Sequence, residues 1–172
     1  VPAPKRAKVI YNAARILEQE KERLALVVAK EMGKVLAESR GDVQEAIDMA
    51  YYMAGEGRRL FGHTTTSELK DKFAMTIRRP IGVVTCITPW NFPIAIPSWK
   101  LFPAIICGNA VVFKPSSDTP LCALEFLKVL QRAGLPSGVV NFVPGSGGDV
   151  GAELVRNKKV RAVSFTGHKD TG

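Results

Sequence analysis

Ile81-Gly82-Val83-Val84-Thr85-Cys86-Ile87-Thr88-Pro89-Trp90-Asn91-Phe92-Pro93 is a short apolar run that passes into a loop bracketed by two prolines. The run to Ile87 has the length and the β-branched content of a buried strand. Pro89 and Pro93 fix their own φ and push Thr88 and Phe92 away from helical backbone. The loop is therefore stiff, and the polar group it holds is the Asn91 amide, with two N–H donors. Taken alone, the loop is either a rigid turn whose Asn91 bonds its own backbone or a mount for a ligand-binding or catalytic amide.

Downstream the pattern alternates. A helix is predicted from Trp99 to Cys107, ended near Gly108-Asn109, then a short buried strand from Ala110 to Phe113 and the loop Lys114-Pro115-Ser116-Ser117. Thr119 is predicted to cap the next helix, with Pro120 at its first position and Leu121, Leu124, Leu127 and Leu130 along it. Gly134-Leu135-Pro136 closes that helix. A strand from Val139 to Val143, the glycine-rich Gly145–Gly148, a short helix to Arg156 and a strand from Val160 to Phe165 complete the series. Strands alternating with helices predict an α/β fold with a doubly wound, mostly parallel, Rossmann-like sheet and helices on both faces. Ligands bind such sheets beyond the carboxyl ends of the strands. Those ends are Thr88–Pro93, Lys114–Ser117, Gly145–Gly148 and the turn from Thr166, and the unusual residues of this half gather there.

Upstream, Ile10, Ala14, Leu17, Leu24 and Val28 form one apolar stripe, which predicts a single long helix from Pro4 to Met32, stopped at Gly33. Asp42 with Glu45 has the form of a capping box opening a second helix with Ile47, Ala50, Tyr51 and Ala54 on one face. Phe73, Met75 and Ile77 alternate with polar neighbours between Lys72 and Arg79, the pattern of a half-covered strand. The expected organisation is a helix pair over 1–62, a connecting loop and edge strand over 63–80, and the Rossmann-like region over 81–172, breaking off before its next helix.

A length of 172 residues, 46% of them apolar, suits one domain or a large part of one and excludes a disordered chain. No apolar run has the length of a membrane span, and the start lacks the apolar core of a signal peptide. Cys86, Cys107 and Cys122 lie far apart in apolar segments, neither a disulfide framework nor a metal-binding pattern, so no metal is expected and the cytoplasm is the expected compartment. The net charge of +8 invites a nucleic-acid reading. The one dense basic cluster, Arg156 to Arg161, falls at a predicted helix end, where cations suit the helix dipole. No nucleic-acid partner is expected.

Gly145-Ser146-Gly147-Gly148-Asp149-Val150-Gly151 follows a strand and opens a helix, as a dinucleotide fingerprint must. Its third glycine comes one residue late, and no ribose-binding acid follows at the usual distance. A tight turn explains it equally well. Lys114 with Ser116 and Ser117 suits a sugar or a phosphate, or is an ordinary solvated loop.

Pro89-Trp90-Asn91-Phe92-Pro93, Trp99-Lys100-Leu101, Gly108-Asn109, Lys114-Pro115-Ser116, Ala133-Gly134-Leu135-Pro136, Gly138-Val139-Val140-Asn141 and Phe165-Thr166-Gly167 together resemble the NAD(P)-dependent aldehyde dehydrogenase superfamily, in its order and at its spacings. The resemblance runs from the first helix to Gly172. It implies a Rossmann-like cofactor domain and oxidation of an aldehyde to a carboxylic acid with NAD or NADP. In the family a cysteine forms a thiohemiacetal, hydride passes to the nicotinamide, and a glutamate directs hydrolysis of the thioester. The resemblance makes Asn91 the side-chain half of an oxyanion hole, and Lys100 either a proton-relay residue or a helix anchor. Ile87, Thr88, Pro89, Trp90, Lys114, Ser116 and Ser117 would line the adenosine ribose, Gly147 and Gly151 the adenine. Phe165, Thr166, Gly167 and His168 would face the pyrophosphate.

The chain departs from the family at His168-Lys169, where a serine usually follows Phe-Thr-Gly. In the family the nucleophilic cysteine and the glutamate lie beyond the position of Gly172. The expectation is thus an N-terminal part that is inactive alone and belongs to a homodimer or homotetramer when complete, the alternative being a non-catalytic nucleotide-binding fragment. Trp99 stands where the family's succinate-semialdehyde enzymes often carry arginine. Ser117 stands where many NAD-preferring members carry a ribose-binding glutamate, so the complete enzyme is expected to accept NADP as well as or better than NAD.

Overall fold

Ala7, Ile10, Ala14 and Leu17 recur every three or four positions and are all buried, the stripe of an amphipathic helix. In the computed structural model, which describes residues 1–172, they lie on α1 (Ala3–Gln19). The expected single helix to Met32 is broken. Glu20 turns out of helical geometry at φ −107° and ψ 13°, and α2 (Lys21–Met32) starts anew. At this break the Glu20 carboxylate pairs with Arg23 in the first turn of α2 and with Arg132 from a distant helix. Gly33 ends α2 in the left-handed conformation at φ 81°, as a residue without Cβ can.

α3 (Leu36–Glu56) buries Val43, Ala46, Ile47 and Ala50 against the other two helices. Asp42 is not its cap. It lies in the second turn, fully buried, and Val35 occupies the capping position. The expected strand over Lys72–Arg79 is also shorter. β1 (Thr64–Thr66) and β2 (Phe73–Met75) form an antiparallel hairpin, and Phe73, Met75 and Ile77 are exposed rather than covered.

The second half builds one four-stranded sheet from β3 (Val83–Ile87), β4 (Ala110–Lys114), β5 (Val140–Phe142) and β6 (Val160–Phe165). All pairings are parallel and the order is β5-β4-β3-β6. The chain moves outward from β3 to β5, then returns to the other side of β3. Right-handed crossovers put the connections of the two directions on opposite faces. The reversal between β3 and β6 is the topological switch point at which such sheets bind ligands.

The connecting helices are α4 (Ala95–Ile106), α5 (Pro120–Arg132) and α6 (Ala152–Arg156), the last preceded by a π-helical turn over Gly147–Gly151. α4 begins earlier than expected because its first amide has a remote partner: the Asp42 carboxylate accepts the Ala95 N–H at 2.8 Å. Its other end is closed by Arg6, whose Nε and Nη2 donate to the Ile106 carbonyl at 2.9 and 2.7 Å. Thr119 occupies the capping position of α5 but makes no side-chain cap. Glu31 of α2 supplies it, its two oxygens accepting the N–H groups of Leu121 and Cys122 at 2.7 and 2.6 Å. Side chains of the N-terminal helices thus fix the amino ends of both helices that lead away from β3 and β4. One apolar core unites helices and sheet, with Phe102 of α4 edge-to-face on Phe126 of α5.

Candidate functional site

Hydrogen bonds across the carboxyl end of the sheet bring its strand ends level. Thr88 N–H donates to the Lys114 carbonyl at 3.2 Å, and Thr166 N–H to the Ile87 carbonyl at 3.1 Å. Beyond them opens a cleft of about 310 Å³. Its floor is Ile87, Lys114 and Phe165; its far wall is Gly147, Gly151, Ala152, Val155 and Arg156, with Thr171 at the rim. A larger groove of about 430 Å³ sits at the opposite end of the sheet, against Lys5, Gly108 and Gly138. The carboxyl-end cleft is the one at the switch point, where a doubly wound sheet binds ligands.

Lys114 sets the electrostatics of the cleft. Its side chain is 5% exposed and its ammonium donates only to the Pro115 carbonyl, at 3.2 Å. No carboxylate lies in the lining, and burial alone pushes the Lys114 pKa below the usual lysine value. A buried ammonium with donor capacity left over is suited to receive an oxygen-rich ligand. The far wall carries no bulk near its start: a Cβ on Gly147 would meet nothing within 4 Å, and one on Gly151 would make only ordinary contact with the Lys114 stem at 3.8 Å and the Ser146 carbonyl at 3.9 Å. Apolar walls beside a few convergent cations fit an adenine nucleotide. On the other rim, the Phe165 ring folds over Gly167 so closely that a Cβ there would sit 2.6 Å from it.

Of the residues expected to hold a cofactor, Ile87, Lys114, Gly147, Gly151 and Phe165 line this cleft together. Thr88, Pro89, Trp90, Ser116, Ser117, Thr166, Gly167 and His168 do not. Thr88 is buried with its hydroxyl unpartnered, and Trp90 is exposed. Ser117 Oγ donates to the Gly145 carbonyl at 3.0 Å, and Ser116 Oγ donates to Asp118 at 3.0 Å. Both hydroxyls tie down the loop instead of pointing a proton into the cleft. His168 is exposed and accepts the Asp170 N–H at 3.3 Å.

Asn91 stands apart from the cleft, just before α4. It is exposed, and its side-chain amide makes no hydrogen bond within the chain. The turn reading, in which Asn91 bonds its own backbone, is therefore not what the loop does. Its backbone carbonyl accepts the Lys34 ammonium at 2.6 Å, and that ammonium also lies 3.8 Å from the centre of the Phe92 ring. Lys100 lies one to two turns into α4, where Nζ donates to Ser164 Oγ of β6 at 3.1 Å. Burial lowers its pKa. Burial pushes the Cys86 thiol up to about 11 and raises that of Cys122 further, so both stay protonated. Cys107 is exposed at the far end of α4, about 18 Å from its start at 1.5 Å per residue.

The sequence profile of the aldehyde dehydrogenase family matches residues 1–172. The chain belongs to the aldehyde dehydrogenase family. Among its relatives, the α-ketoglutaric semialdehyde dehydrogenase of Bacillus subtilis is 43% identical over 97% of this chain and 34% of its own length. Among solved structures, an NADP-dependent enzyme of E. coli superposes with a TM-score of 0.93 at 41% identity, covering 96% of this chain and 34% of that one. An NAD-dependent aldehyde dehydrogenase from Sinorhizobium meliloti gives 0.96 at 35% identity, covering 100% and 34%. The chain spans about a third of the length of the curated relatives it matches.

Within this chain, Ala152, Val155, Arg156 and Thr171 also line the cleft, though none was expected there and Arg156 was read only as a cation at a helix end. A signal for Val155 was there: Gly147, Gly151 and Val155 recur every four residues, one face of a helix. The irregular π-turn that carries the first two is a type of distortion frequent at functional sites.

Proposed function

We propose that these residues form the cofactor-binding side of an enzyme that oxidises an aldehyde to a carboxylic acid with NAD or NADP. The observation that carries this is the buried, under-coordinated Lys114 ammonium in a carboxylate-free cleft at the switch point. Lys114 would bind ribose or phosphate oxygens, while Gly147, Gly151 and Val155 admit the adenine ring. Ile87 and Phe165 form the apolar floor beneath them. With Arg156 also in the wall and no acid to repel a 2′-phosphate, NADP is accepted as well as NAD. When bound, the nicotinamide cofactor supplies the hydride acceptor.

Asn91 would offer its unpartnered amide to the aldehyde oxygen as charge develops there, the arrangement of an oxyanion hole. Its mount is stiff and its donors are uncommitted. For Lys100, the bond to Ser164 supports the role of anchor between α4 and β6. The thiols of Cys86 and Cys122 are buried and held protonated, and Cys107 lies at the far end of α4 from Asn91; on this reading the 172 residues alone are inactive, and the reacting cysteine and the glutamate base belong to the rest of the enzyme. The complete enzyme is proposed to be a cytoplasmic homodimer or homotetramer. Exposed Phe73, Met75 and Ile77 around the β1–β2 hairpin support self-association, and free thiols suit a reducing compartment. No helix is long and apolar enough to cross a membrane.

Lys114→Met in the complete enzyme tests the cofactor assignment. Methionine keeps the packing of the stem and removes the charge. The cofactor KM should rise by about one to two decades, the worth of one charge-assisted hydrogen bond, with kcat nearly unchanged. A KM within about twofold of the parent would remove Lys114 from the binding site.

A further inference from the structure

Two side chains of the N-terminal region hold the segment from Asn91 to Ala95 at both ends. Lys34, in the connection after Gly33, donates to the Asn91 carbonyl at 2.6 Å and sits over the Phe92 ring at 3.8 Å. Asp42, one and a half turns into α3, accepts the Ala95 N–H at 2.8 Å. Between these anchors Pro93 fixes φ, so few torsions remain free. The Asn91 amide itself touches nothing in the chain. Its direction is therefore set by its backbone, and the one side chain that grips that backbone from outside the loop is Lys34. An ammonium bonded to the Asn91 carbonyl and stacked on the next residue's ring restrains the Asn91–Phe92 peptide unit and the Phe92 side chain.

We propose that Lys34 is a positioning residue for Asn91: it touches neither substrate nor cofactor, and it orients the amide that stabilises the oxyanion. This rests on the assignment of Asn91 to the oxyanion hole. An amide must point at the charge that appears in the transition state, and a displacement of about 1 Å is worth up to about a hundredfold in rate. The loss should appear in kcat and spare the cofactor KM, because Lys34 lies away from the Lys114 cleft.

The test is a double-mutant cycle in the complete enzyme with Lys34→Met and Asn91→Ala. Lys34→Met should lower kcat by about tenfold to a hundredfold with the cofactor KM unchanged, and Lys34→Arg, which can keep both contacts, should restore most of the rate. In the Asn91→Ala background the same Lys34→Met change should cost less than about twofold, since the group it orients is gone. Lys30→Met, at an exposed lysine one turn earlier, is the control and should leave the rate unchanged. If Lys34→Met proves too unstable to assay, Phe92→Leu removes the ring face instead, with a loss of about threefold to tenfold that also disappears in the Asn91→Ala background. A kcat for Lys34→Met within about threefold of the parent, or a loss that persists in full without Asn91, overturns the positioning role. An Asn91→Ala enzyme with parental kcat instead overturns the oxyanion assignment itself, so the two failures are told apart.

Discussion

The carboxylate of Asp42 on α3 accepts the backbone N–H of Ala95 on α4 at 2.8 Å, while its second oxygen has no partner in a fully buried site. Burial dominates the titration of this group. It outweighs the Ala95 hydrogen bond and the nearby Lys34 charge and lifts the Asp42 pKa to about 6. An acid whose pKa is raised on folding contributes stability that is full below its unfolded value and is lost as pH rises through its folded value. As pH rises from about 4 to about 6.5, through the ordinary and then the raised value, ionisation of Asp42 should therefore cost the native state about 2–3 kcal/mol. Asp42→Asn keeps an acceptor for Ala95 without the charge. Melting curves of parent and variant across that range should show the parent gaining on the variant as pH falls. A gap that is constant with pH would mean that Asp42 titrates as an ordinary aspartate.

Glu31 performs the corresponding task for α5. Glu31→Ala should lower stability by about 1–3 kcal/mol, because two amide donors at the helix start lose their acceptor. Glu31→Gln retains one acceptor oxygen and should lose less. Thermal melts of the two variants, ranked against the parent, give the check. Equal losses would show that the contact of Glu31 with Leu121 and Cys122 is not the source.

These two caps mark the boundary of what the sequence reveals. The strands β3 and β4 were legible because each is a short apolar run bounded by glycine or proline, and β6, whose valines alternate with other residues, ends where expected, at Phe165. The cleft was legible in outline because a parallel sheet places its ligands at strand ends. The break at Glu20 was not: the apolar stripe runs on through it, and the carboxylate's partner Arg132 is more than a hundred residues away. Asp42 resembled a helix start by local pattern, yet its partner Ala95 is 53 residues downstream. The directions of Ser116 and Ser117 were hidden for a similar reason. Hydroxyls at a strand end look available for a ligand until the Gly145 and Asp118 acceptors are in place.

Ser117 is proposed to bear on cofactor choice through its position, although its proton is committed to Gly145. It is exposed beside the Lys114 loop, and a carboxylate there would add negative charge near the proposed ribose site. Ser117→Glu should shift the ratio of kcat/KM for NADP over NAD toward NAD by about tenfold or more. The measurement is steady-state kinetics with both cofactors on parent and variant. A parent enzyme that already prefers NAD by about a hundredfold would show that Ser117 does not set the choice.

The most direct test of the account concerns Asn91, a stiffly mounted amide with no partner of its own. In the complete enzyme, Asn91→Ala should reduce kcat for aldehyde oxidation by about a hundredfold to a thousandfold, the cost of one oxyanion-hole donor, while cofactor binding is retained. A loss below about tenfold, with the cofactor bound as in the parent, would contradict the assignment of Asn91 to the reacting oxygen.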